Sequence, residues 1–274
     1  MKTLILTDIH VGKSESLAWN GLIRQANTQA LETLKKTVPH LNQQKFDLTM
    51  QLGDLLRDVG NAETDAVNFD SAVSELAKLN PSPIHLPGNH DLHVFSNSEY
   101  SAHLEKYGFQ QNTYGSKMQG GYKIIWLDFI RDAENRKLLS AERLTWLRKE
   151  LDYTGECLIF GHYPLKNQDF TGSVYFASKD KKTGFAYDNA DEIADILLHG
   201  QAKVRAYVGG HVHWIGSYTI GQIPCFIAPS FTENIAATAY PENNPGIYST
   251  LEVNDQNLIF KSYSGEYCFV TLEG

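Results

Sequence analysis

Short apolar runs recur along the chain, each bounded by polar or turn-forming residues. They are Thr3–Thr7 (TLILT), Phe46–Leu52 (FDLTMQL), Ser82–Leu86 (SPIHL), Tyr122–Leu127 (YKIIWL), Cys157–Phe160 (CLIF) and Val204–Val208 (VRAYV). Runs of this length predict core strands of a sheet covered on both faces. The segments between them carry apolar residues at helical spacing. Leu31, Leu34, Val38 and Leu41 share one face of a helix predicted over Leu22–Leu41. Phe69, Val73, Leu76 and Leu79 do the same over Phe69–Leu79. Ser140 is a good N-cap for a helix over Ser140–Leu151, and Asn189–Leu198 is a shorter candidate. Strand and helix therefore alternate, which predicts an α/β architecture.

The last part of the chain reads differently. Ile215–Ile220, Pro224–Ala228, Ile247–Val253, Leu258–Ser264 and Tyr267–Leu272 look like consecutive strands, with turns at Asn254–Asn257 and Ser264–Glu266. They predict an antiparallel sheet that completes the domain. No linker, repeat or low-complexity tract interrupts the chain, so a single domain over residues 1–274 is expected. The stretch Lys166–Asp188 is polar, with several aromatics and the run KDKK. A long loop of this kind is expected to be either a binding lid or a solvated insertion.

Composition changes this picture in three places. The hydrophobic fraction of 42% supports a sizeable core. The net charge of -8 argues against a broad basic footprint for nucleic acid or an anionic membrane, but not against a small anion held by cations. Cys157, Cys225 and Cys268 form no paired motif, and the first two lie in apolar runs, which predicts free thiols in a reducing cytoplasm. Neither a signal peptide nor a membrane-spanning run is legible.

Chemistry enters where the predicted strands end. The first runs into Asp8-Ile9-His10, the second into Gly53-Asp54, the third into Gly88-Asn89-His90-Asp91. The CLIF strand runs into Gly161-His162, and the VRAYV strand into Gly209-Gly210-His211-Val212-His213. In open α/β sheets, ligand sites lie at this carboxyl edge. Alternate residues of an extended segment point the same way, so the Asp-x-His and His-x-His pairs are each expected to face one point. The donor set is carboxylate, imidazole and one amide, with no thiolate. It suits Mn, Fe, Zn, Co or Ni. Seven donors exceed one tetrahedral ion and fit two ions about 3.5–4 Å apart, sharing one carboxylate.

The series DxH, GD, GNHD, GH and GHxH, spread over residues 8–213, resembles the calcineurin-like metallophosphoesterase family. Its compact arrangement is similar to class III cyclic-nucleotide phosphodiesterases and bacterial glycerophosphodiesterases. GDLLRDVG at Gly53–Gly60 and the stretch Ala228-Pro229-Ser230-Phe231 fit that subgroup. The resemblance implies a four-layer α-β-β-α sandwich of two mixed sheets flanked by helices. It implies that Asp8, His10 and His213 hold one divalent or mixed-valence transition metal ion, that Asn89, His162 and His211 hold the other, and that Asp54 bridges them. It also implies that His90 is a catalytic residue beside the scissile phosphate and that Asp91 orients it by a hydrogen bond. Asn89, His90 and His93 are the candidate substrate contacts. His93, three residues after His90, reads more simply as an exposed loop histidine.

These residues describe hydrolysis of a small-molecule phosphate ester by hydroxide generated at the ions. A phosphodiester, either a cyclic nucleotide or a glycerophosphodiester, is the leading substrate. A phosphomonoesterase, a phosphoprotein phosphatase, a nuclease and a noncatalytic binding scaffold are the alternatives, and the acidic balance weighs against the nuclease. No membrane partner is expected. The C-terminal strands leave an edge through which copies of the chain could pair.

Overall fold

A computed structural model of the chain describes residues 1–17, 21–110, 112–168, 185–235 and 246–274. Twelve strands form two sheets. In chain order they are β1 (Lys2–Leu6), β2 (Leu48–Gln51), β3 (Ile84–His85), β4 (Gly115–Gln119), β5 (Tyr122–Leu127) and β6 (Glu156–Gly161). They continue as β7 (Lys203–Gly209), β8 (Gly216–Ile220), β9 (Ile223–Ile227), β10 (Ile247–Val253), β11 (Leu258–Ser264) and β12 (Tyr267–Glu273). The first sheet has the order β12-β11-β10-β1-β2-β3, and the second β8-β9-β7-β6-β5-β4. Both are mixed. The strands β1, β2 and β3 run parallel, as do β5, β6, β7 and β9, and antiparallel strands complete each sheet.

The sheets pack face to face. Ile5, Met50, Leu251 and Phe260 of the first meet Ile124, Leu158, Val208 and Phe226 of the second in one buried cluster. The rings of Phe226 and Phe260 stack across this interface at 5.0 Å between centroids. Three helices cover the outer face of the first sheet: α1 (Ala30–Asn42), α2 (Ala62–Leu76) and α4 (Asn97–Glu105), with a single turn, α3 (Asp91–Val94), beside the site. Leu34, Val38, Phe69, Val73 and Tyr100 pack there on Leu4 and Leu6. On the second sheet, α5 (Ala141–Leu151) and α6 (Ala190–His199) press Leu144, Leu147, Ile193 and Leu197 onto Ile125, Cys157 and Ile159. The result is the expected four-layer α-β-β-α sandwich. Each fully buried aliphatic or aromatic side chain contributes about 1.5–3 kcal/mol. Among the described residues, no helix is long and apolar enough to cross a membrane.

Three expectations are corrected. The first helix begins at Ala30, not Leu22, because Ile23–Gln25 pairs with Ser16–Leu17 as a short arm. Its backbone is satisfied outside any helix, with Ala26 N donating to Thr232 O and Asn234 N to Arg24 O. The second helix begins at Ala62 and ends at Leu76, capped by Asn61, whose side chain accepts from Thr64 N at 2.9 Å. The exposed first turns hid this start. Finally, the C-terminal strands do not form one antiparallel sheet. β8 and β9 extend the second sheet, with β9 parallel to β7, while β10 to β12 extend the first. Strand β4 and helices α3 and α4 add to the predicted elements. Cys157 and Cys225 are buried and free, and burial pushes both thiols up to about 12. Cys268 is exposed.

Candidate dinuclear metal centre

Parallel strands of the two stacked sheets end at the same edge. β1, β2 and β3 carry Asp8, His10, Asp54 and Asn89 just past their last residues, and β6 and β7 carry His162, His211 and His213. The fold thus gathers all seven expected donors. Among the described residues three groups place ligand atoms within 4.8 Å of one another: two made of these donors (Asp8, His10, Asp54 and His213; Asp54, His162 and His211) and a third beside them (Asp58, His90 and His93). Asn89 joins the second, its Oδ1 lying 3.2 Å from His162 Nε2. Asp54 belongs to both, with Oδ2 at 3.7 Å from His10 Nε2 and 3.5 Å from His162 Nε2.

The convergence is not the one expected from extended alternation. Asp8, His10, Asp54, His211 and His213 have φ of 52°, 55°, 55°, 66° and 61°. Left-handed backbone at a non-glycine residue is uncommon and costs energy, and it concentrates at functional sites. Here each left-handed residue turns the chain sharply at a strand end. Asp8 N donates to Gly53 O and His10 N to Asp54 O, so neighbouring loops hold these turns in place. Glycine is required where two loops touch: a Cβ on Gly88 would lie 2.1 Å from Asp54 Oδ1.

Hydrogen bonds aim the side chains. His10 Nδ1 faces Leu56 O at 3.3 Å and His162 Nδ1 faces Leu52 O at 2.8 Å, so their Nε2 atoms point at the carboxylates. Asp8 Oδ2 accepts from Thr7 Oγ1 at 2.5 Å and from His211 N at 3.0 Å, and Asp54 Oδ1 accepts from His90 N at 2.8 Å. Their other oxygens, with His211 Nδ1, are buried and have no hydrogen-bond partner. Unpaired buried polar atoms are costly and call for an ion or water. His10 Nε2 and His213 Nε2 stand 3.0 Å apart, the spacing of two neighbouring ligands at about 2.0–2.1 Å from one ion.

Electrostatics agrees. Burial and the neighbouring His213 hold His10 well below the ordinary imidazole range, and burial and His162 do the same for His211. Burial also lowers His213. Such rings keep the lone pair a metal needs. Burial opposes charge on His162, but the Asp54 carboxylate beside it raises this ring to about 9. Burial likewise opposes ionisation of Asp8 and Asp54, yet His213 and His162 respectively hold these carboxyls below the usual range. At His213, Arg24 Nη2 (2.6 Å) and Gln25 Nε2 (2.8 Å) face Nδ1, and Asp8 Oδ1 lies 3.0 Å from Nε2. Glu233 Oε2, buried and without a hydrogen-bond partner, lies 3.9 Å from Nδ1 and is an acceptor available to it when Nε2 is a ligand. The residues present therefore fit a dinuclear metal site.

Around the donors, two expectations change. Asp91 does not meet the His90 ring. Its carboxylate accepts backbone N–H from Asp54 (2.8 Å), Gly88 (2.8 Å), Leu55 (3.0 Å) and Leu56 (3.3 Å), clamping the loops after β2 and β3 together. The partner of His90 Nδ1 is Asp58. Burial opposes charge on Asp58, but the hydrogen bond from His90 keeps its carboxyl below the usual range. His93 does not line the cavity. It braces Asp58, with Nδ1 at 3.5 Å from Oδ2, while Arg131 Nη2 stands 2.7 Å from its Nε2. The phrase GDLLRDVG held the signal for Asp58, whereas Arg24, Gln25 and Glu233 gave none. Most of the long loop, residues 169–184, lies outside the described residues, but Phe185 lines the cavity beside Asn89 and His90.

A sequence model described as calcineurin-like phosphoesterase matches residues 1–214. A probable glycerophosphodiester phosphodiesterase from Arcobacter nitrofigilis is 27% identical over 240 residues, covering 84% of this chain and 78% of that protein. Among solved structures, a dimetal phosphatase from Danio rerio matches with a TM-score of 0.76 at 15% identity, over 99% of this chain and 98% of that one. A purple acid phosphatase from yellow lupin matches with a TM-score of 0.62 at 12% identity, over 99% of this chain and 53% of that one.

Proposed function

Because the chain belongs to the calcineurin-like phosphoesterase family, we propose that this hydrolase of phosphate esters is a two-metal phosphodiesterase for small molecules, either cyclic nucleotides or glycerophosphodiesters. One observation carries the reading: Asp54 Oδ2 stands, without a hydrogen-bond partner, between the imidazoles of two donor groups. Asp8, His10 and His213 would hold one ion, Asn89, His162 and His211 the other, with Asp54 shared. Mn, Fe, Zn, Co and Ni suit these donors. The preference for a diester rests on the likeness to the Arcobacter protein. One domain over residues 1–274, in a cytoplasm that keeps Cys157 and Cys225 reduced, completes the proposal.

When bound, the two ions supply an acidified water as nucleophile and positive charge for the phosphoryl oxygens. The chain's own residues do the rest. His90, held at Nδ1 by Asp58, stands at the cavity with Nε2 3.2 Å from Arg57 Nη1. In its protonated form it passes a proton to the departing alkoxide oxygen. Asp58 fixes the ring's orientation through Nδ1. Asp91 holds the backbone from which Asp54, Asn89 and His90 project.

The test is turnover of bis-p-nitrophenyl phosphate against p-nitrophenyl phosphate by the Mn-loaded protein. A higher kcat/KM for the diester is expected. Equal or faster cleavage of the monoester would overturn the diester preference in favour of a phosphomonoesterase.

A further inference from the structure

The cavity beside the donors measures about 370 Å3, and Arg24 and Arg57 line it together with His90 and His213. Neither arginine can hold a cation, since guanidinium offers donors only. A planar guanidinium matches the oxygens of a phosphate, so an anion in the cavity would suit both. In a phosphodiester the scissile group carries one charge, and its oxygens belong to the ions. The arginines are therefore matched to charge elsewhere on the substrate.

Their placement supports this. The rings of His90, His10 and His213 form a row with 4.8 Å between successive centroids. Arg57 Nη1 stands 3.2 Å from His90 Nε2 at one end, and Arg24 Nη2 stands 2.6 Å from His213 Nδ1 at the other. Arg57 faces an imidazole nitrogen, a weaker partner than a phosphate oxygen, while Arg24 is shared between an imidazole nitrogen and the Glu233 carboxylate. Arg24 sits on the arm formed by Ser16–Leu17 and Ile23–Gln25. The arm is built in firmly. Gln25 bridges antiparallel to Glu233, Asn234 Nδ2 donates to Ile23 O at 2.8 Å, and Arg24 Nε donates to the buried Glu233 at 3.1 Å. A buried ion pair is an expensive way to hold a surface arm. It is a sound way to aim a guanidinium. Glu15 of the same arm also lines the cavity, where it accepts from Thr28.

We infer that Arg24 and Arg57 are specificity-determining residues that select a phosphodiester carrying a second anionic phosphoryl group, of which a pyrophosphate diester is the simplest. The inference rests on the two-metal phosphodiesterase reading and extends it from phosphate esters to the anhydride bond of a pyrophosphate diester. In the reaction, water oxygen bonds to one phosphorus and the bridging P–O bond breaks. Its electron pair stays on the bridging oxygen of the second phosphate, a proton passes to solvent, and two monophosphates result.

The experiment uses the Mn-loaded protein with dithymidine 5′,5′-pyrophosphate, which carries two charges, and p-nitrophenyl thymidine 5′-phosphate, which carries one. The ratio of kcat/KM for the first over the second is expected at about tenfold or more, and it should fall to about one in Arg57→Gln and in Arg24→Gln/Glu233→Gln. The double variant removes both charges of the buried pair, so no lone carboxylate is left to unfold the protein. Calorimetry supplies a second readout: α,β-methylene-ADP should bind about tenfold more tightly than AMP, and the variants should lose the difference. A ratio that the variants leave unchanged overturns the inference. So does loss of bound metal in Arg24→Gln/Glu233→Gln with selectivity intact, because Arg24 would then only position His213. If the protein cleaves neither ester, the phosphodiesterase reading fails by itself. Calorimetry still decides the anion subsite: a preference for the methylene analogue that the variants lose supports it, and equal binding overturns it.

Discussion

Asp58 receives the hydrogen bond from His90 Nδ1, although Asp91 is the carboxylate next to His90 in the chain. Removing His90 should therefore leave the metal donors intact and lower kcat by about 10²–10⁴-fold, the usual contribution of a general acid. Asp58→Asn keeps the shape but loses the carboxylate that holds His90 Nδ1, and about a 10- to 100-fold loss in kcat is expected. Elemental analysis should find two ions per chain in both variants. Loss of both ions from His90→Ala would show that the ring is a ligand after all.

Asp54 stands between the two donor groups, so its removal should affect both ions. Asp54→Ala is expected to bind neither tightly, whereas His213→Ala should retain the ion of the other group. Metal stoichiometry after dialysis separates the two. Full retention of one ion by Asp54→Ala would rule out a shared carboxylate.

Gly88 allows the loops after β2 and β3 to touch. A Cβ there would fall 2.1 Å from Asp54 Oδ1, with backbone of Asp54 2.2 Å away. Gly88→Ala should shift Asp54, weaken metal binding and cost about 3 kcal/mol, as overpacking of a tight site does. Urea unfolding of the metal-free protein measures the stability term apart from the metal.

Asp91 accepts four backbone N–H groups in the interior. Asp91→Ala leaves these donors unpaired and should cost about 3–5 kcal/mol. Asp91→Asn, which keeps an acceptor oxygen, should cost less. A variant as stable as the parent in urea would contradict the clamp.

His85 gives a pH dependence that is independent of the metal site. It is buried, its ring packs edge-on to Phe109 at 4.4 Å, and Nδ1 lies 3.4 Å from Gln51 Oε1. Burial lowers the ring to about 3. The folded state therefore keeps it neutral while the unfolded chain takes up a proton near pH 6.5. Below that pH the unfolded state binds more protons, so stability falls as pH falls, by about 2 kcal/mol between pH 6.5 and 5 from this group. His85→Gln should flatten the slope of urea-derived stability over this window. An unchanged slope would mean that His85 titrates normally in the folded protein.

The sequence alone carried the chemistry of the donors. Seven of them sit beside short apolar runs, and a strand with a polar residue at its end is a local pattern readable from neighbours in the chain. Most strand positions followed for the same reason, as did Ser140, whose side chain accepts from Arg143 N at 3.3 Å. Tertiary structure decided everything that depends on which distant segments meet. The C-terminal strands divide between the two sheets, because the edge on which β9 or β10 pairs is not written in either strand. Left-handed turns, not extended alternation, aim the ligands, since neighbouring loops impose these angles against local preference. Asp58 displaced Asp91 as the partner of His90 because four backbone N–H groups claim the Asp91 carboxylate. Arg24 is aimed at the cavity by a partner, Glu233, 209 positions further along the chain, which no local pattern encodes.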